Sequence, residues 1–252
     1  MRASFLNHDR APLTVMLQFE RPDTAAEHIR NGLRLGADAF GLQVESLLPE
    51  FQNKETYQSL FAEMQGKPSY VTNYRHCHNA QKTDEELADG LILLAESGAT
   101  LCDVMGDLFC KHPEELTDDP EAIEKQMALI KKLHSLGAEV LMSSHILKFT
   151  PAERVLEVAL EQKRRGADII KIVTGADTME QQLENLRITN LLKEELGAPF
   201  LFLSGGECSI HRRLGFRLGC CMNLCVWKHH SMSTPTQPLL TTMKTIRDQM
   251  EF

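Results

Sequence analysis

The sequence predicts a single-domain α/β protein, a (β/α)8 or TIM barrel spanning residues 1–252, and three observations predict it. A charged helical stretch, a glycine, a small residue and a short apolar run recur in that order along the chain. Eight strand–helix units fit in about 250 residues, the common size of this barrel as one domain. No glycine-rich dinucleotide fingerprint follows the first strand, which counts against an open doubly wound sheet.

Taken in order, "TVMLQF" supplies a first strand near 13–19, and "RNGLRLGADAFGLQV" closes on a second near 39–44. "GKPSYVTNY" is a looser copy with a strand at 69–74, and "ILLAESGATLCDVM" ends on one at 101–105. "ALIKKLHSLGAEVLMSS", "ALEQKRRGADIIKIV" and "LLKEELGAPFLFLS" give strands at 139–144, 168–173 and 200–204, and the last lies at 220–225. Gly36, Gly98, Gly137, Gly166 and Gly197 each stand where a helix C-cap needs a residue tolerant of positive φ. The runs after them are rich in Val, Ile, Leu and Phe, as parallel strands covered on both faces are. Residues 1–12 read as an arm, or as a cover for the barrel bottom, and no linker or second domain interrupts the chain.

Composition narrows the class. The formal net charge is -8, from 27 basic and 35 acidic residues, so nucleic acid and anionic membranes are not expected partners. No charged-then-apolar leader and no long apolar run is present, so neither a signal peptide nor a membrane span is expected. Seven scattered cysteines suit a reducing cytoplasm better than a disulfide framework.

In such a barrel the chemistry lies at the C-terminal ends of the strands. Lys171, in "GADIIKIVTG", is the sharpest anomaly there. Apolar neighbours favour a neutral amine, which attacks carbonyls; a lysine that snorkels or pairs with Asp168 is the plainer alternative. His145 ends the neighbouring strand, where it can transfer protons or simply cap a helix. "SGGECSIHRRLG" brings Arg212 and Arg213 after Gly205 and Gly206, and reads as a carboxylate fork, a phosphate cradle or a solvated helix start. "CCMNLCVWKHH" lacks any accepted zinc spacing, and alternation along a strand would turn its cysteines to opposite faces. "RHCHNAQ", from Arg75 to Gln81, reads as a loop lining the site.

With these residues placed, the chain resembles the type I 3-dehydroquinate dehydratases from the first strand to the last helix. "SSHILKFTP" sets His145 on the family's catalytic histidine, and "GADIIKIV" sets Lys171 on its imine-forming lysine. "GGECSIHR" sets Arg212 on the carboxylate-binding arginine, "SMSTPTQ" sets Ser233 and Gln237 on substrate-binding positions, and Arg75 falls on the arginine of Thr-Phe-Arg. Four departures accompany the match, one of them a "VWKHHSMS" loop about two residues longer than the family's, which adds His229 and His230 near the entrance. Gly41 and Gln43 replace the strand-two Glu and Arg, Met105 replaces the second acid of strand four, and Asn79 replaces the acid that supports the histidine.

The resemblance implies a lyase that dehydrates a cyclic hydroxy keto acid, 3-dehydroquinate for the family, through an imine on Lys171 with His145 moving protons. It implies Arg212, Ser233 and Gln237 on the carboxylate, Arg75 on a hydroxyl, and Asn79 orienting His145 by a hydrogen bond. Because the lysine is its own electron sink, no metal or organic cofactor is expected. A small-molecule keto acid is the expected partner, with a homodimer implied by the family. The departures leave room for the same chemistry on a related keto acid, an aldolase-like enzyme with phosphate on Gly205 and Gly206, or a non-catalytic paralogue.

Overall fold

The computed structural model describes residues 3–6 and 8–250; residues 1, 2 and 7 of the expected arm, and residues 251–252, lie outside the described residues. Strands β1 (Leu13–Leu17), β2 (Ala39–Gln43), β3 (Ser69–Thr72) and β4 (Leu101–Met105) form the first half. Strands β5 (Glu139–His145), β6 (Ile169–Gly175), β7 (Phe200–Gly205) and β8 (Asn223–Cys225) form the second. Helices α1 (Pro22–Arg34), α2 (Lys54–Glu63), α3 (Asp84–Ser97), α4 (Pro120–Ser135), α5 (Ala152–Arg164), α6 (Met179–Glu195), α7 (His211–Leu214) and α8 (Leu240–Gln249) alternate with them.

The strands pair in parallel in the order β7-β6-β5-β4-β3-β2-β1-β8, a nearly closed barrel. All eight expected strands are present, with boundaries shifted by at most three residues and that of β4 unshifted. Between β7 and β8 the contact is made by single bonds: Cys221 N–H donates to the Phe200 carbonyl at 2.8 Å, and Cys220 Sγ to that of Phe202 at 3.4 Å. β3 stops at Thr72 rather than Tyr74 because the Tyr74 N–H turns to the Glu45 carboxylate, 3.3 Å away.

Each helix buries one stripe against the strands, as Ala25, Ile29 and Gly32 do on α1. Side-chain caps start several of them: Asn53, Asp119 and Thr178 each accept a backbone N–H, and Thr83 with Glu86 forms a capping box. The five expected C-cap glycines all adopt positive φ, from 58° at Gly197 to 116° at Gly98. At the barrel bottom the arm is tied to the start of β5, with Ser4 Oγ and Phe5 N–H donating to Glu139 and the Phe5 ring buried. No helix among the described residues is long and apolar enough to cross a membrane.

Candidate active site

The C-terminal ends of the strands enclose a cavity of about 610 Å³. Alternation along each strand decides what faces it. On β6, Lys171 and Val173 point inward while Ile170 and Ile172 pack against the helices; on β5 the inward set ends at His145. Register sets Ser143 beside Lys171 and His145 beside Val173, so the amine lies one step deeper than the imidazole.

Lys171 is 4% exposed and is surrounded by polar atoms rather than apolar walls. Nζ donates to Tyr74 OH at 2.8 Å, to Tyr70 OH at 2.9 Å and to Asp103 Oδ2 at 3.1 Å. That uses all three ammonium protons. Asp103 also accepts from both tyrosine hydroxyls, and from Ser143 Oγ at 2.5 Å on its other oxygen. Burial, then the Asp103 charge, pushes both phenols well above their ordinary range, so they stay protonated as donors. The expected apolar setting of Lys171 is therefore corrected: its partner is Asp103 from β4, whereas Asp168 bonds His134 and the Val140 N–H.

His145 has a carboxylate partner that the motifs do not reveal. Its ring Nδ1 lies 2.7 Å from Glu115 Oε2, and its backbone N–H donates to the same oxygen at 2.9 Å. Glu115 stands in the loop between β4 and α4 at φ 46°. Burial works against its charge, yet the His145 ring and backbone bonds hold the carboxyl below its ordinary range. With Nδ1 engaged, Nε2 is left for the cavity. Asn79 does not orient His145: its Nδ2 donates to Asn73 at 2.6 Å, and the side chain is wholly buried away from the cavity wall. The histidine's carboxylate comes from a different loop.

Arg212 lines the cavity opposite, on the short helix α7. Nε donates to the Ser204 carbonyl at 3.1 Å, and no carboxylate lies within ion-pair reach among the described residues. Burial lowers its pKa to about 10. A buried guanidinium without a counter-charge is a receptor for an anion. Gln237 and Thr234 line the same wall, and Gln237 Oε1 is buried without a partner. Gln43 also lines the cavity with its Oε1 unpartnered.

Five other expected residues are placed differently. Arg75 reaches the cavity edge, but it clamps Asp84 at 2.6 and 2.7 Å and Asp107 at 2.7 Å, so its fork joins the start of α3 to the loop after β4 instead of facing a hydroxyl. Ser233 Oγ donates to the His230 carbonyl at 2.8 Å and closes its own turn; Thr234 faces the cavity instead. Arg213 turns to the Ser209 carbonyl at 3.4 Å. Gly206 packs on the Ala176 carbonyl, and neither it nor Gly205 lines the cavity.

Gly41 explains another departure. A Cβ there would collide with Met16 Sδ and approach the Tyr70 ring at 3.1 Å. The space of a longer side chain on β2 is filled by Met16, and Met105 adds a second thioether to the wall. An amine, an imidazole backed by a carboxylate, and an unpaired guanidinium thus share one partly apolar chamber. Such a set can anchor an oxo acid by its carboxylate, attack its carbonyl and move protons beside it.

Comparison with known proteins agrees in kind. The family model "Type I 3-dehydroquinase" matches residues 13–251. A 3-dehydroquinate dehydratase of Alkaliphilus oremlandii is 34% identical over 95 residues, which are 37% of this chain and 36% of that protein. One from Geobacillus thermodenitrificans is 28% identical over 120 residues, 46% of this chain and 47% of its own length. The matched stretches thus span less than half of either curated relative. A crystal structure of 3-dehydroquinate dehydratase from Geobacillus kaustophilus superposes with a TM-score of 0.82 at 16% identity, covering 97% of this chain and 92% of that one. At that identity the likeness is one of fold.

Proposed function

The chain belongs to the type I 3-dehydroquinase family, and from that premise we propose that it dehydrates 3-dehydroquinate through an imine on Lys171. The carrying observation is that Lys171, His145 and Arg212 open on one cavity. Arg212 holds the substrate carboxylate, with Gln237 and Thr234 beside it. Lys171 Nζ adds to the ketone and water leaves, giving a protonated imine that acidifies the neighbouring C–H. His145 Nε2 takes that proton, its imidazolium stabilised by Glu115. His145 returns the proton to the β-hydroxyl as the enamine expels it as water, and hydrolysis frees the enone and restores Lys171. Gln43 is placed to accept from a ring hydroxyl.

Two features of the same wall favour a second reading, the same lyase chemistry on a less hydroxylated keto acid. Met16 occupies the space at Gly41, and Met105 stands where the family carries an acid. Borohydride reduction with dehydroquinate and with deoxy analogues in parallel, followed by peptide mass mapping, decides between them. An adduct on Lys171 with dehydroquinate supports the first reading, an adduct only with an analogue the second, and none with either overturns both.

A place in the shikimate pathway, a cytoplasmic setting and a homodimer complete the proposal. Seven cysteines, none in a disulfide among the described residues, fit a reducing compartment. Leu147, Met179 and Leu183, each more than half exposed, offer apolar surface for a second copy. Light scattering on the purified protein tests the dimer.

A further inference from the structure

Imine formation is a proton-redistribution problem. A ketone and an ammonium group give a protonated imine and water, so two of the three ammonium protons must travel from nitrogen to the departing oxygen. No proton enters from or leaves to solvent. The group that manages this must touch the amine, carry protons and open on the cavity.

His145 is poorly placed for the first of these tasks. It lies one step above Lys171 in register, and its Nδ1 is engaged with Glu115. Tyr74 meets all three requirements. Its hydroxyl lies 2.8 Å from Nζ and donates to Asp103, it lines the cavity, and its ring packs edge-on against His145 at 5.3 Å. Tyr70 repeats the arrangement more deeply, at 2.9 Å from Nζ.

We propose, resting on the imine reading above, that Tyr74 with Asp103, supported by Tyr70, is a second proton relay of this site, serving nitrogen while His145 serves carbon. Asp103 Oδ2 takes the first ammonium proton, freeing the Nζ lone pair for the carbonyl carbon. As the C–N bond forms and the C=O π bond breaks, the Tyr74 hydroxyl gives its proton to the new alkoxide and is reprotonated by Asp103. The second nitrogen proton passes by the same path to the carbinolamine hydroxyl. The C–O bond then breaks, water leaves, and the third proton stays on the imine. Hydrolysis runs the relay in reverse.

Two probes separate this relay from the substrate assignment. Acetylacetone forms a coloured enaminone with a nucleophilic lysine whatever the natural substrate, and dehydroquinate with borohydride reads the proposed one. Tyr74→Phe should form the enaminone roughly 10²-fold more slowly than the wild type, and added imidazolium buffer should restore part of the rate in the variant only. Tyr70→Phe should slow it by less than about tenfold, since the shallower hydroxyl remains. Enaminone formation by Tyr74→Phe at the wild-type rate, or a faster one, overturns the relay.

Fold loss is controlled by a gentler change. The chain holds only three tyrosines, two of them in this cluster. Biosynthetic replacement of all three by 3-fluorotyrosine keeps every hydroxyl and makes it more acidic. The rate of enaminone formation at fixed pH should then rise, because the more acidic hydroxyl protonates the alkoxide more readily, and an unchanged or lower rate also overturns the relay. A wild type that reacts with acetylacetone but not with dehydroquinate sinks the substrate assignment and leaves the relay to be judged on the variants. A wild type inert to both probes overturns the relay together with the imine.

Discussion

Glu115 receives His145 twice through one carboxylate oxygen, from ring Nδ1 at 2.7 Å and from the backbone N–H at 2.9 Å. The pair fixes which ring nitrogen faces the cavity and supplies the negative charge that an imidazolium needs. Glu115→Gln keeps the size of the side chain but not the charge. It should lower kcat by about 10²-fold with little change in KM. Steady-state kinetics on the trapped substrate checks this. Asn79→Glu should restore nothing, because Asn79 bonds Asn73 and not the histidine.

Asp103 and Lys171 form a buried ion pair, and such pairs are costly to break from one side. Asp103→Asn leaves the ammonium without a counter-charge and should lower unfolding free energy by about 3 kcal/mol. Adding Lys171→Met to it removes the orphaned charge and should recover most of the loss. Urea unfolding of the two variants and the wild type measures the difference.

Arg212 runs the other way, because it is already unpaired. Arg212→Met should stabilise the ligand-free protein by about 1 kcal/mol, since a buried charge without compensation is removed. The same change should abolish the thermal shift that a carboxylate-bearing substrate gives to the wild type. Melting curves with and without ligand report both effects at once.

Glu45 is wholly buried beneath Thr72 and Tyr74, and burial raises its pKa from an ordinary 4.5 to about 7. Between those two values the folded protein keeps a proton that the unfolded chain has released. Stability attributable to this group is therefore full below pH 4.5 and falls as pH rises toward 7. The whole effect is about 3 kcal/mol. Glu45→Gln should flatten that slope, and at pH values above it the variant should be the more stable protein. Unfolding at a series of pH values, wild type minus variant, isolates the term.

The barrel was legible because its signals are local and repeated. A C-cap glycine followed by a covered strand recurs often enough that eight strands follow with small boundary shifts. Lys171, His145 and Arg212 were legible because strand ends and short motifs place them one at a time. What the motifs did not supply was partnership. Glu115 lies in a loop with no periodicity, 30 residues before the histidine it supports, and only a pair of acids after the fourth strand marks it. Tyr70, Asp103 and Lys171 come from β3, β4 and β6, and their meeting depends on which face of each strand turns inward. Arg75 reads as a free fork until Asp84 and Asp107, nine and 32 residues away, are seen to fill it.

Met16 seated in the space beside Gly41 also ties two positions of the wall together. An acid placed at position 41 meets a thioether already in residence, and overpacking of that kind costs about 1–3 kcal/mol. Shortening Met16 first opens a void instead, with a penalty of its own. Placing an acid there therefore takes two coupled changes, each destabilising when made alone, and this pair of positions keeps the chamber apolar on one side.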